Sequence, residues 1–243
     1  MGLSLGLADL RPDDWRTVFR NNRSFGQVWN VPVNKPTERP WLDDKLVVGL
    51  TGGIACGKST TLRFFESRGW GTISADAIAA DLLANDLGVA EAVGKEFGGG
   101  ALLPEGGVDK RKVAAVVFAD SSKRRWLEQL IHPLVREEWI SQVTGSVRKR
   151  HVVEIPLLFE NHLESLFSCV VTVFCNHQIQ CERLISKGMT IEEAIARIEV
   201  QMPIQEKVER ADAAFHNDGD LAHLEAQLDV FLQGLDEVTK MSP

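Results

Sequence analysis

No run of apolar residues in the sequence approaches the roughly 20 needed to cross a bilayer, so no membrane partner is expected. Cysteine is sparse. Cys56, Cys169, Cys175 and Cys181 form neither a C-x-x-C pair nor a disulfide-rich spacing, which argues against a zinc site and for reduced thiols in a cytoplasm. Basic residues are outnumbered, 27 against 34 acidic, for a net charge of -7 and a pI near 5.4. A general nucleic-acid binder needs a basic stripe, so that class is set aside, while a local basic pocket for a small anion stays open. The N-terminal "MGLSLGLADLRPDDW" lacks a basic segment followed by an apolar run, the mark of a secretory signal, and does not fit a transit peptide. There is no internal repeat. What remains is a 243-residue chain, 44% hydrophobic and 25% charged. That suits a soluble cytoplasmic protein of one domain, or one domain with an appendage.

Composition changes near residue 45. Residues 1–44 carry "NNRSFGQVWNVPVNKPTERPWLDD", rich in proline and polar residues, with no sustained period. They read as an N-terminal extension, either packing Trp29 and Trp41 on the domain surface or binding something specific. The main domain is expected over residues 45–236, with a tail at 237–243. Within it, apolar runs alternate with helical patterns. "KLVVGLT", "WGTISAD" (ending at Asp76), "HVVEIPLL", "SCVVTVFC" and "AAFHN" read as strands. "KSTTLRFFESRG" reads as a helix stopped by Gly69. "SSKRRWLEQLIHPLVREEW" has an apolar face interrupted by Pro133, which is expected to bend it. "TIEEAIARIEVQM" opens with Thr190 and Glu193 at capping-box spacing. "LAHLEAQLDVFLQGL" carries a stripe of Leu221, Leu224, Leu228, Phe231 and Leu235. Apolar strands separated by helices imply an α/β fold with a parallel sheet covered on both faces.

The chemistry begins at Gly52-Gly53-Ile54-Ala55-Cys56-Gly57-Lys58-Ser59, a full G-x-x-x-x-G-K-[ST] between a strand and a helix. A phosphate chain carries several negative charges, and backbone N–H groups at a helix N-terminus surround it only if the loop coils tightly. Lys58 adds a mobile positive charge for the β and γ phosphates, and Ser59 a hydroxyl for Mg²⁺. The loop alone does not separate a kinase from a GTPase or an ATPase motor. Asp76 does more. At the carboxyl end of a strand it can accept or orient the proton of an acceptor hydroxyl; equally, it can cap the helix "AIAADLL".

The segments "VVGLTGGIACGKST", "SADAIAADLL", "LIHPLVREE", "EIPLLFE", "ARIEVQMPIQEKVERAD" and "HNDGDL" occur in this order. Together, from about Leu46 to Leu235, they resemble the dephospho-CoA kinase family. That resemblance implies transfer of the ATP γ-phosphate to the ribose 3′-hydroxyl of dephospho-CoA, the last step of coenzyme A synthesis. It also implies a P-loop kinase fold with a parallel five-stranded core sheet, a helical CoA-binding region and a lid. ATP and Mg²⁺ are the implied cofactors, and dephospho-CoA the small-molecule partner. Carried over, Ala55, Cys56, Gly57, Lys58, Ser59 and Thr60 hold ATP, and Asp76 contacts the acceptor hydroxyl. Arg183 and Arg197 flank the lid and neutralise the transferring phosphoryl, unless they are solvated partners of a glutamate such as Glu193. His132, with Pro133 and Arg136, is expected as a buried, hydrogen-bonded histidine shaping the acceptor region. Asn217 to Gly219 match a turn near the adenine, expected to act through its backbone.

The chain departs from the family pattern at several places. Ala55 and Cys56 stand where glycine and serine are usual. Ser74 replaces an acid, Ala80 an arginine, Glu154 a frequent aspartate, and the lid segment "RLISKGMT" is one residue short. Cys56 is either a low-pKa reactive thiol at a helix N-terminus or a silent stand-in for serine. Rival functions remain, among them a binding-only relative that has lost catalysis, which would be expected to lack Lys58 or Asp76, and both are present. Another small-molecule kinase of this fold is a second; a nucleotide-dependent switch is a third, which calls for an N-K-x-D after a later strand, and the only "NK" here is Asn34-Lys35 in the extension.

Overall fold

The computed structural model describes residues 45–241, with side chains to residue 236. The expected extension at 1–44, with Trp29 and Trp41, therefore lies outside the described residues. The described chain forms two compact units, one of residues 45–72 and 147–241, the other of residues 73–146.

The first unit is built on the sheet. β1 (Leu46–Gly52), β2 (Gly71–Ser74), β3 (Arg150–Glu154), β4 (Cys169–Phe174) and β5 (Ala213–His216) lie in the order β2-β3-β1-β4-β5, with β2 straddling the boundary between units. β1 pairs in parallel with both β3 and β4, and β4 with β5. The strands are nearly all buried because helices cover both faces, and so they read as continuous apolar runs rather than alternating ones. Chain order reverses at β1, with β2 and β3 on one side and β4 and β5 on the other. The carboxyl end of β1 is thus the switch point where open α/β sheets bind ligands.

α1 (Lys58–Ser67) leaves the loop after β1 and ends in a Schellman turn. The Gly69 N–H donates to Glu66 O at 2.9 Å and the Trp70 N–H to Phe65 O at 3.2 Å, with Gly69 at φ +80°. α9 (Leu221–Met241) packs on α1 and β5, burying Leu224, Leu228, Phe231 and Leu235 of the expected stripe, while Leu221 is exposed. Phe231 meets Phe65 and Phe215 edge-on, at ring separations of 6.5 and 5.5 Å. This helix runs on through residues 237–241, where the sequence suggested a tail.

The remaining helices of this unit are α6 (His177–Ile185), α7 (Ile191–Glu199) and α8 (Ile204–Arg210). The capping box forms as read: Glu193 N–H donates to Thr190 Oγ1, and Thr190 N–H to Glu193 Oε2.

The second unit is helical, with α2 (Ala75–Asn85), α3 (Leu87–Phe97), α4 (Lys110–Ala119) and α5 (Ser121–Gly145). α5 continues through Pro133 and buries Ile131, Val135, Trp139 and Val143, one residue per turn. Position 132 lies about 100° around the helix from Ile131, and His132 is exposed. The expectation of a buried histidine is corrected by that spacing.

Candidate active site

The loop from Gly52 to Gly57 is shaped by its glycines. Gly52 has φ +145°, and a Cβ there would stand 2.1 Å from Val173 O; Gly57, at φ +102°, would meet Asn217 Nδ2 at 2.2 Å. Ala55 also lies in the left-handed region, at φ 60°. This is the position where the resemblance called for glycine, and alanine there costs about 1–2 kcal/mol of backbone strain.

Each carbonyl of the loop meets a donor. Lys58 Nζ donates to Gly52 O at 3.2 Å and to Gly53 O at 2.9 Å. Gln180 Nε2 reaches Ile54 O at 2.9 Å, Arg183 reaches Ala55 O at 3.2 Å, and Asn217 Nδ2 reaches Cys56 O at 2.7 Å. Gly57 O accepts from the Thr60 and Thr61 N–H groups, both at 3.0 Å. Carbonyl oxygens repel phosphate oxygens, so a loop whose carbonyls are engaged by its own surroundings is suited to present N–H groups to an anion. The N-terminus of α1 adds the positive end of the helix dipole. Ser59 is exposed there.

Of the two arginines, Arg183 is tied to the loop, donating also to Asn217 O at 2.9 Å. Arg197 is exposed on α7, and the pairing with Glu193 does not form, because that carboxylate closes the capping box. At Asn217 to Gly219 both backbone and side chains are engaged: Asn217 O accepts from Arg183, and Asn217 Nδ2 donates to Cys56 O. Asn217 is buried and spans the loop and β4, its N–H donating to Phe174 O at 2.8 Å. Asp218 accepts from the Asn176 N–H at 2.7 Å and lies 2.8 Å from His216 Nε2. Burial alone would raise the Asp218 pKa, but these donors outweigh it and hold the carboxyl below its usual range.

Cys56 is fully buried, in the core cluster with Cys175, whose thiol lies 3.3 Å away. Donation from Cys175 makes Cys56 the more acidic of the two; burial works against this, and Lys58 and Arg183 assist it. The hydrogen bond to the Cys56 sulfur, and after it burial, push the Cys175 thiol up. The sulfur of Cys56 thus packs beneath the loop, and the reactive-thiol reading is corrected by its burial.

In the second unit Asp76 has a different local setting from the one expected. β2 ends at Ser74, and Ser74 caps α2, its hydroxyl accepting the Ala77 N–H at 3.4 Å. Asp76 sits in the first turn of α2, exposed. The alternative that Asp76 is the cap is removed: serine, standing where the resemblance called for an acid, does that work. Gln180, Gln201, Lys207 and Glu160 were missed by the sequence reading. The one available signal was that Gln180 precedes Arg183 by three residues, on the same helix face.

A phosphate loop at the switch point of a five-stranded α/β sheet, with Lys58 and Arg183 gathered on it, defines a P-loop nucleotide-binding fold. The fold matches a crystal structure from Thermus thermophilus with a TM-score of 0.70 at 31% identity, covering 79% of this chain and 99% of that one. It also matches the dephospho-CoA kinase from Campylobacter jejuni, with a TM-score of 0.55 at 27% identity over 80% of this chain and 97% of the other. Residues 46–223 match the family model of dephospho-CoA kinase. The dephospho-CoA kinase of Bacillus licheniformis is 39% identical over 199 residues, 80% of this chain and 99% of the relative. That of Parasynechococcus marenigrum is 42% identical over 175 residues, 71% and 87% of the two chains. The chain belongs to the dephospho-CoA kinase family.

Proposed function

We propose that the protein transfers the γ-phosphate of ATP to the ribose 3′-hydroxyl of dephospho-CoA, yielding coenzyme A. The observation that carries this reading is an intact phosphate loop, with all its carbonyls engaged, inside a family match over residues 46–223. Ala55 to Thr60 hold the phosphates of ATP through loop and helix N–H groups. Lys58, now bonded to Gly52 O and Gly53 O, has its ammonium at the loop and contributes charge to the β and γ phosphates.

Among the described residues no group of three or more His, Cys, Asp or Glu could cage a metal. That donor set fits Mg²⁺, which keeps phosphate oxygens and waters as most of its ligands and needs only one or two from protein, here the exposed Ser59 hydroxyl. When bound, Mg²⁺ neutralises charge on the phosphate oxygens. Asp76 accepts the proton of the attacking hydroxyl, while Arg183 and Arg197 neutralise charge developing on the transferring phosphoryl. Arg183 is held ready at the loop; Arg197, solvated on α7, has to be brought in. The reading includes work in the cytoplasm, which suits four cysteines of which none is in a disulfide. No described helix is long and apolar enough to cross a membrane.

The test is ADP release from ATP and Mg²⁺ with dephospho-CoA, adenosine, nucleoside monophosphates and gluconate offered separately. Stimulation by dephospho-CoA alone is expected. Stimulation by another acceptor, with dephospho-CoA inert, would move the assignment to a different small-molecule kinase.

A further inference from the structure

The two peptide groups flanking Ile54 are held from opposite sides by two glutamines. On one, the Ile54 N–H donates to Gln201 Oε1 at 2.9 Å; on the other, Gln180 Nε2 donates to Ile54 O at 2.9 Å. Gln180 belongs to α6, one turn before Arg183, and is buried at 3% exposure. Gln201 follows the carboxyl end of α7, the helix that carries Arg197. The short segment between α6 and α7, with Gly188 at φ +91°, is the one the resemblance assigns to the lid. Both stems of that segment are therefore bonded to one residue of the phosphate loop.

The sequence makes room for this arrangement. A Cβ at Gly53 would lie 2.6 Å from Gln180 Nε2, so the absence of a side chain at this glycine is what lets the amide through to Ile54 O. Ile54 is followed by Ala55, held in the left-handed region. A strained residue keeps such a conformation only when its surroundings fix it, and the bonds to Ile54 O and Ala55 O do so on the spot. Without the Gln180 donor, Ile54 O would lose its buried partner and its peptide could rotate, bringing a carbonyl oxygen toward the bound phosphates.

We infer that Gln180 and Gln201 are positioning residues for the phosphate chain of ATP. They fix the peptides around Ile54, and through that residue they couple the loop to α6 and α7. The inference rests on the loop being the ATP site, but not on which acceptor is phosphorylated. It can therefore be tested by nucleotide binding alone.

The experiment measures, by titration calorimetry, the Kd of a non-hydrolysable ATP analogue with Mg²⁺ for wild type, Gln180→Leu, Gln201→Leu and the double variant. Thermal unfolding is followed in parallel. Leucine keeps the side-chain bulk and removes the hydrogen-bonding group. Each single change is expected to weaken the Kd of the folded protein about tenfold, the loss of one buried hydrogen-bond partner. The double variant is expected to weaken it by much less than a hundredfold, because both changes act through the same loop residue. A purely structural glutamine would lower the melting temperature and leave the Kd of the folded fraction alone. If Gln180→Leu does not fold, the half-buried Gln201 decides the matter. A Kd within twofold of wild type in every folded variant overturns the inference, as does full multiplicative loss in the double. Failure of dephospho-CoA as acceptor would overturn the proposed function and leave this result standing.

Discussion

Glu160→Gln should destabilise the protein by about 3 kcal/mol, because it strips the counter-charge from a lysine that has no access to water. The Lys207 side chain is fully buried, with Nζ 2.8 Å from Glu160 Oε1 and donating to Pro156 O at 3.0 Å. Breaking a buried ion pair by removing one partner costs about 3–5 kcal/mol; Glu160 is partly exposed and Pro156 O remains, so the lower end applies. Glutamine keeps an acceptor for the Met202 N–H, which now bonds Glu160 Oε1 at 3.1 Å, so the change isolates charge from geometry. Lys207→Met removes the cation instead. It leaves a carboxylate whose Oε1 still accepts from the Met202 N–H but whose Oε2 is buried without a partner, so it too should cost about 3 kcal/mol. The double variant should then cost clearly less than the two single changes added together, since neither charge is left unpaired. Urea unfolding of the four proteins gives these numbers directly. A cost under about 1 kcal/mol for Glu160→Gln, or a double variant whose cost is the full sum of the two single changes, would refute the account of Lys207 as a cation dependent on Glu160.

Asp76→Asn should lower turnover by at least about two powers of ten with ATP binding little changed, since a base acts on the acceptor and not on the donor. A fall in melting temperature with activity per folded molecule intact would instead make Asp76 a helix-end charge. His151 is buried with neither ring nitrogen bonded; burial, then the positive charges of Lys45 and Arg148, hold its pKa below the usual value. The unfolded chain takes up that proton near pH 6.5 and the folded chain does not. The stability contribution is therefore complete above about pH 6.5 and is lost as pH falls below it. Replacing His151 with leucine should flatten that slope in pH-dependent urea unfolding, and an unchanged slope would remove His151 from the explanation. Finally, limited thiol labelling of the native protein should map to Cys181, which is the one cysteine not buried, before Cys56 or Cys175. Early labelling of Cys56 would show that the loop opens on its own.

The features legible in the sequence are local ones. The strand, loop and helix around Lys58, the capping box at Thr190 and the stripe of α9 each rest on a spacing of a few residues, so periodicity and cap chemistry revealed them. Where the reading failed, distant partners decided the outcome. Gln180 and Ile54 are 126 positions apart, Asn217 and Cys56 are 161 apart, and no local pattern announces either bond. The direction of the Cys56 sulfur was equally hidden: a helix N-terminus suggests a reactive thiol, but packing against Cys175 takes it into the core. His132 failed for a simpler reason. Its neighbours Ile131 and Val135 claim the buried face of α5, and a residue one position along cannot share it.

The central claim is chemical, and the position of the transferred phosphate tests it most directly. The protein should be incubated with ATP, Mg²⁺ and dephospho-CoA, and the product examined by phosphorus and proton NMR. The account predicts one new phosphomonoester on the ribose 3′ oxygen, formed in step with ADP. ADP formation without that product, or a phosphate on any other hydroxyl, would contradict it.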